Sequence, residues 1–117
     1  MGRGVRVVYP SLSRRDIVKR LMDAIPVLKE KLPISDVILY GSYATGRYTA
    51  GSDIDLVVVY EGCVRHDAYR IVVETLNLPR LEPKVYTKGQ FESLASQSVR
   101  FTETLRREGI TIYRSGG

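Results

Sequence analysis

The sequence predicts an α/β fold, a small mixed β-sheet with helices packed on it. The chain has 117 residues, of which 44% are hydrophobic. That is enough for one globular domain spanning residues 1–117 with a real core. Short apolar runs, typical of strands, alternate with longer segments whose apolar residues recur at helical spacing. This alternation predicts helices packed against a sheet.

The first part of the chain contains a predicted edge strand and a long helix. Residues 5–9 are expected to form the strand, which a proline ends. Ser13 and Asp16 have the spacing of a capping box, so a helix is predicted over 14–32. Proline lacks an N–H and clashes with the preceding turn, so Pro26 predicts a kink or a break. The apolar residues at helical spacing are Ile17, Leu21, Ile25, Leu28 and Leu32.

Strands and helices alternate through the second part of the chain. The run over 54–60 is apolar almost throughout, which is typical of a central strand covered on both faces. The predicted strands are 37–40, 54–60, 80–86 and 110–113. Three helices are predicted in this part, two of them over 66–77 and 97–107. Between these two, a capping box of Thr87 and Gln90 opens a helix that carries Phe91 and Leu94. The buried stripe expected in the first of these helices is Tyr69, Val72, Val73 and Leu76.

Composition excludes several classes of function. No run approaches the roughly 18 apolar residues of a membrane helix, so we expect no membrane segment and a cytoplasmic location. Cys63 and His66 are the only residues of their types, which excludes an internal disulfide and the usual zinc ligand sets. The net charge of +5 permits an anionic partner. The arginines are scattered, however, so charge alone indicates no function.

A predicted strand ends at Gly41 and Ser42, and this pattern suits a phosphate-binding turn. Glycine lets a phosphate approach the backbone closely. A short helical turn is predicted to begin at Tyr43, and a helix N-terminus offers free N–H groups to an anion. The hydroxyl of Ser42 adds one more donor.

Two aspartates follow at the start of the next predicted strand, and ten residues separate the first of them from Ser42. Asp53 and Asp55 are two residues apart, so their carboxylates face the same way with Cα atoms about 6.5–7 Å apart. Paired carboxylates at the head of an apolar strand are costly unless a cation neutralises them. Mg²⁺ takes oxygen ligands and keeps positions open for phosphates. The turn and the carboxylates together predict phosphoryl or nucleotidyl transfer.

The same stretch resembles the signature of a known superfamily. Gly41-Ser42, ten residues and then Asp53-Ile54-Asp55-Leu56 are similar to the polymerase-beta nucleotidyltransferases. The fuller stretch Leu39-Tyr40-Gly41-Ser42-Tyr43-Ala44-Thr45-Gly46 … Gly51-Ser52-Asp53-Ile54-Asp55-Leu56 resembles their smallest branch, the prokaryotic minimal nucleotidyltransferases. The resemblance covers nearly the whole chain, through Glu108-Gly109-Ile110-Thr111-Ile112-Tyr113.

The resemblance implies a polymerase-beta-like nucleotidyltransferase fold and a specific chemistry. Members of this branch transfer a nucleoside monophosphate from a triphosphate to a hydroxyl group with Mg²⁺. We therefore expect ATP as donor and two Mg²⁺ ions, held by Asp53 and Asp55, with Gly41 and Ser42 at the phosphates. Many members act as antitoxin of a helical HEPN-class toxin, so a HEPN-type protein is the expected partner. The acceptor should then arrive on a separate molecule, as part of a homo- or hetero-oligomer.

Two further residues complete the expected site. The superfamily has a third carboxylate on a neighbouring strand, which serves as base or metal ligand, and Glu82 is its best match. Minimal members commonly carry arginine where this chain has Thr45, and Arg47 is the candidate that supplies this charge to the triphosphate. The alternative interpretations are a surface glutamate and a solvated loop arginine.

Three alternative functions remain open at this point. The first is an antitoxin that binds its toxin and needs no turnover. The second is transfer to a small molecule, as in the aminoglycoside-modifying transferases. The third is a nucleic-acid-binding module, indicated only by the net charge, whose affinity would fall steeply with salt and need no Mg²⁺.

Overall fold

The computed structural model describes residues 12–115, which form a four-stranded mixed sheet with helices on both faces. The predicted fold class is confirmed. The strand expected over 5–9 lies outside the described residues. The elements are α1 (Arg14–Lys31), β1 (Ile34–Tyr40), α2 (Ser42–Thr45), β2 (Ile54–Tyr60), α3 (Ala68–Leu76), β3 (Leu81–Thr87), α4 (Lys88–Gln97), α5 (Val99–Glu108) and β4 (Ile110–Arg114). None of the helices within residues 12–115 is long and apolar enough to cross a bilayer.

Helix α1 begins at the predicted capping box. The Ser13 hydroxyl accepts a hydrogen bond from the Asp16 N–H at 3.2 Å, and the Asp16 carboxylate accepts one from the Ser13 N–H at 3.0 Å. The helix continues through Pro26, so the predicted break is wrong. Pro26 deprives the carbonyl of Met22 of its donor, but both residues are exposed and water can satisfy that carbonyl. The buried stripe therefore keeps the helix in one piece.

The strand order in the sheet is β3-β2-β1-β4. Strand β1 pairs antiparallel with both β2 and β4, while β2 and β3 are parallel. The prediction of a central β2 is confirmed, as every residue from Leu56 to Tyr60 is buried. Strand β3 lies at an edge, where the missing N–H of Pro83 is tolerated.

Alternating residues of β2 enter two separate cores. Leu56 and Val58 join the larger core beneath α1 and α3. Val57 and Val59 join a smaller core beneath α4 and α5, which Leu105 completes. Helix α4 has no fully buried residue, so this second face of the sheet is thinly covered.

Helix α3 differs from its prediction in the stripe that it buries. Val72 and Leu76 are buried as expected, and Val73 is only partly buried. Tyr69 is 54% exposed, and Ala68 takes its place in the core. Both positions suit helical spacing, and the direction from which the sheet approaches decides between them. Strand β1 begins at Ile34, three residues before its predicted start.

Candidate active site

The two predicted aspartates lie at the head of β2, on the thinly covered face of the sheet. Asp53 directly precedes the strand and is exposed, while Asp55 is its second residue and is partly buried. Side chains alternate along a strand, so both aspartates share a face with Val57 and Val59. That face is the one that α4 and α5 cover. The prediction that one strand orients both carboxylates alike is thus consistent with the structure.

The strand register places two more side chains beside Asp55. Its partner on β1 is Tyr40, and its partner on β3 is Glu82. Residues that are directly opposite on neighbouring strands project to the same face of a sheet. The structure therefore brings Glu82 next to Asp55, where the resemblance expects a third carboxylate.

The carboxylates perturb one another and their neighbours. Burial raises the pKa of Asp55 above its ordinary value, and the negative charges of Asp53 and Glu82 raise it further, while Lys84 opposes the shift. Burial also raises the pKa of Tyr40 to about 12, with a further contribution from Asp55. The negative charge gathered at this point of the sheet favours the binding of a cation.

Gly41 links the predicted phosphate-binding turn to the carboxylates. Its φ of 76° and ψ of −152° lie in a region that only glycine populates readily. A Cβ atom at this position would collide with the carboxylate of Asp55. The end of β1 and the start of β2 lie so close together that the Asp55 carboxylate packs against the backbone of Gly41. The two parts of the sequence motif are thus in contact in the structure.

The turn after Gly41 is the one-turn helix α2, which begins at Ser42, one residue earlier than predicted. Ser42 is partly buried at its start. Gly46 ends it in the left-handed conformation. Arg47 follows, with an exposed side chain and a backbone N–H that donates to the Ser42 carbonyl at 3.0 Å. The structure therefore brings Ser42 and Arg47 to opposite ends of the same short turn.

Two side chains on the carboxylate face were not among the predicted site residues. Lys84 lies on β3 two residues after Glu82, so alternation would have placed it on this face once Glu82 was chosen. Tyr40 is opposite Asp55 because of the β1–β2 register, for which the sequence contains no comparable signal. Asp67, another acidic residue of the chain, forms an ion pair with Arg65.

The donor set suits a hard divalent cation. Carboxylate oxygens are ligands that Mg²⁺ prefers, and a bound cation would relieve the repulsion at Asp55. Within residues 12–115, no three histidine, cysteine, aspartate or glutamate side chains already form a metal-binding group. The carboxylates of Asp53, Asp55 and Glu82 thus share a face without enclosing a common point. Asp53 and Asp55 have the donor chemistry for the cation that the sequence predicts, which they would bind on an open surface.

Comparison with protein families identifies the class to which this geometry belongs. Residues 21–109 match the family model of the nucleotidyltransferase domain. The chain belongs to this family. The matched segment contains the turn at Gly41, both aspartates and Glu82, and it confirms the family predicted from the motif.

Two solved structures with TM-scores above 0.5 agree with this assignment at the level of the fold. A candidate nucleotidyltransferase from Sulfolobus solfataricus has a TM-score of 0.58 at 16% identity, covering 92% of this chain and 91% of its own. A toxin–antitoxin complex with AMP-PNP contains a chain with a TM-score of 0.53 at 18% identity, covering 81% of this chain and 74% of its own. A complex of a tri-AMPylated HEPN toxin with the MNT antitoxin of Shewanella oneidensis gives a TM-score of 0.44 at 18% identity, with coverages of 87% and 70%.

Proposed function

We propose that this nucleotidyltransferase domain transfers AMP from ATP to a hydroxyl group on a protein partner, as the antitoxin of a toxin–antitoxin pair. The observation that carries the proposal is the packing of the Asp55 carboxylate against Gly41, with Glu82 alongside. This contact joins a phosphate-binding turn to a carboxylate cluster. Nucleotidyl transfer needs both in one place.

The turn and the loop after it would hold the triphosphate. Gly41 has no side chain, so phosphate oxygens can approach its backbone. Ser42 supplies a hydroxyl donor, and the exposed guanidinium of Arg47 can turn towards the same phosphates. These contacts fix the donor in place, which is the larger part of catalysis in phosphoryl and nucleotidyl transfer.

Asp53 and Asp55 would hold Mg²⁺, with Glu82 as a further ligand or as the base. When bound, the ions supply charge neutralisation at the phosphate oxygens. The protein contributes the orientation of the carboxylates through β2 and the partial burial of Asp55. That burial makes the ionised carboxylate a stronger partner for a cation than it would be in water.

The chemical step is an in-line displacement at the α-phosphorus. The acceptor hydroxyl oxygen forms a bond to the α-phosphorus while the bond from that phosphorus to the bridging oxygen breaks, and pyrophosphate leaves. Glu82 accepts the proton of the acceptor hydroxyl. The register opposite Asp55 supports this role, because a base there would lie beside the proposed metal ligands. The exposure of Glu82 leaves it accessible to an acceptor from outside.

Two observations support a protein as the acceptor. The neighbour with a TM-score of 0.53 is a toxin–antitoxin complex with AMP-PNP, which associates this fold with a protein partner and a nucleotide. In this chain, Asp53 and Glu82 are exposed on a face that α4 covers without a fully buried residue. A face of this kind can receive a hydroxyl presented by another protein. The partner expected here is a helical HEPN-type toxin.

The decisive experiment combines the purified protein and its candidate toxin partner with Mg²⁺ and ATP labelled on the α-phosphate. We expect the label to appear on the partner, pyrophosphate to be released in equal amount, and mass spectrometry to find an added adenylyl group. A reaction with chelator and one with γ-labelled ATP are the controls, and neither should label the partner.

The alternatives give different results in the same experiment. Binding without labelling would contradict the enzymatic proposal and favour an antitoxin that acts by binding alone. Labelling of a small molecule or a nucleic acid instead of the partner would contradict the protein acceptor but leave the transferase chemistry in place.

A further inference from the structure

We propose that Arg14 and Tyr48 are positioning residues that hold the phosphate-binding turn and the loop after it against the first turn of α1. The inference rests on the proposed function, since the turn matters most if it binds a triphosphate. Neither residue belongs to the motif that identifies the family. Arg14 donates hydrogen bonds to Ala44 and to Tyr48, which lie 30 and 34 positions away in the chain.

The turn needs an external support. Helix α2 has only four residues, Ser42–Thr45, and a helix of one turn has no stability of its own in water. The loop that follows it must also return the chain to Asp53 in a defined position. Catalysis by positioning requires that both be held, because a displacement of about 1 Å can cost roughly a hundredfold in rate.

Arg14 contacts the turn with its side chain and the loop with its backbone. Its guanidinium Nη1 donates a hydrogen bond to the carbonyl oxygen of Ala44 at 2.9 Å. Its backbone N–H donates to the hydroxyl oxygen of Tyr48 at 3.2 Å. Arg14 is the first residue of α1, so its N–H has no acceptor within the helix and is available for this bond.

Tyr48 connects the loop to the turn through its ring. It stacks on Tyr43 with ring centroids 4.4 Å apart and an angle of 13° between the planes. Tyr43 belongs to α2 and is only 4% exposed, so the stack anchors the loop to the core. These contacts connect Arg14 to Tyr48, Tyr48 to Tyr43 in α2, and Arg14 to α2 directly. We call this set of three residues the α1 clamp.

The remaining part of the loop is ordered locally, so the clamp determines where it begins. The Thr49 N–H donates to the Ser52 hydroxyl at 2.8 Å, and the Ser52 N–H donates to the Thr49 carbonyl at 3.1 Å. This compact turn directly precedes Asp53. A shift of Tyr48 would therefore be transmitted through the turn to the aspartate, which is why we assign the clamp a role in catalysis.

The variants that test the clamp remove one contact each. Tyr48→Phe removes the hydroxyl and keeps the stack, while Arg14→Met removes the guanidinium bond and keeps the backbone donor. Arg14→Lys retains a single donor and should rescue part of the loss. Arg15→Met is the matched control for charge, because Arg15 makes no side-chain hydrogen bond to any residue between 12 and 115. Tyr69→Phe is the control for an exposed tyrosine.

The first measurement is the rate of transfer at a temperature well below the thermal midpoint of each variant. We expect kcat to fall roughly ten- to hundredfold in Arg14→Met and Tyr48→Phe. The thermal midpoint should change little, and the two controls should match the parent. A purely structural role predicts instead a lower midpoint with an unchanged kcat per folded molecule. That result would overturn the proposal.

Hydrogen exchange separates failure of the clamp from failure of the proposed function. The amides of Thr45, Gly46 and Arg47 donate to carbonyls of the turn, and they report on its opening. Exchange at these amides should be roughly two- to tenfold faster in both clamp variants and unchanged in the controls. If the parent transfers no nucleotide, the proposed function is wrong, yet faster exchange still supports the clamp. Unchanged exchange in both variants overturns it.

Discussion

At the scale of single residues, Gly41 sets the geometry of the site. Its backbone conformation and the nearby carboxylate of Asp55 both exclude a side chain. The chain offers two other glycines that separate these effects. Gly46 has a positive φ of 86° with open space around its missing side chain, and Gly51 has neither constraint.

We predict that Gly41→Ala lowers the free energy of unfolding by about 1–3 kcal/mol through backbone strain alone. It should also reduce transfer roughly a hundredfold, because the new methyl group displaces Asp55. Gly46→Ala should show comparable strain with a smaller loss of activity, and Gly51→Ala should resemble the parent. Urea unfolding and the labelled-ATP assay measure both quantities. Equal activity in the variants at positions 41 and 46 would contradict the role assigned to the Asp55 contact.

Substitution of the aspartates should lower the transfer activity without lowering the stability of the fold. Asp53→Asn and Asp55→Asn are each predicted to reduce transfer by roughly a hundredfold or more, through loss of charge stabilisation. The raised pKa of Asp55 means that its ionised form is disfavoured in the folded state. At pH 7 in chelator, Asp55→Asn should therefore unfold at a higher temperature than the parent. Glu74→Gln, an exposed carboxylate on α3, is the control. Full activity in either aspartate variant would exclude the proposed site.

The proposed role of Glu82 as base or metal ligand is supported by its position beside Asp55. A kinetic experiment can test this role. Glutamine preserves its size but removes both the base and the anionic ligand. We predict that Glu82→Gln lowers kcat roughly a hundredfold while the Kd of a non-hydrolysable ATP analogue stays unchanged. Glu92→Gln on α4 is the exposed control. A kcat equal to that of the parent would return Glu82 to the interpretation of a surface glutamate.

At the scale of elements, α1 shows how packing overrides a local signal. Pro26 should end or kink a helix, yet α1 continues because its buried stripe attaches it to the sheet. The clamp adds a role for its first turn, through Arg14.

The proline costs stability that a substitution can recover. Pro26→Ala restores the N–H that can donate to the carbonyl of Met22 and removes the steric clash with it. We predict a gain of about 1–3 kcal/mol in the free energy of unfolding, reduced by the greater freedom of the unfolded chain. Val27→Ala, at a neighbouring exposed position, should change stability by less than about 0.5 kcal/mol. A destabilised Pro26→Ala variant would mean that the proline ring packs better than its exposure indicates.

At the scale of the whole molecule, the sheet topology brings the candidate site residues together, and several arginines are paired with acidic side chains. Several arginines of this chain, which carries a net charge of +5, are bonded to acidic side chains. The ion pairs are Arg65–Asp67, Arg106–Glu103, Arg107–Glu108 and Arg114–Asp36. The guanidinium groups of these arginines already have acidic partners, so they are less available to the phosphates of a nucleic acid.

We therefore predict weak binding to nucleic acid. At physiological salt and without Mg²⁺, the Kd for a single-stranded oligonucleotide should be about 10⁻⁴ M or weaker, the weak end of non-specific binding. Fluorescence anisotropy over a range of salt concentrations measures it. A Kd below about 10⁻⁶ M that weakens steeply with salt would favour the nucleic-acid-binding alternative.

The sequence by itself determined the family and the local geometry of its motif. The two-residue spacing of Asp53 and Asp55 orients both carboxylates alike because strand alternation is a property of the backbone. The capping boxes of α1 and α4 and the apolar length of β2 are equally local, and the structure confirms them. Such features depend on neighbours in the chain, so the residues themselves contain the information.

Only the tertiary structure decided which residues from distant parts of the chain lie beside the aspartates and the turn. Parallel pairing of β2 with β3 brings Glu82 beside Asp55, and antiparallel pairing with β1 brings Tyr40 to its other side. The clamp joins Arg14 to Tyr48, and the approach of the sheet to α3 exposes Tyr69. These contacts join residues far apart in the chain, and local patterns do not specify them. They depend on the strand order and register that bury the most apolar surface, which is a property of the whole fold.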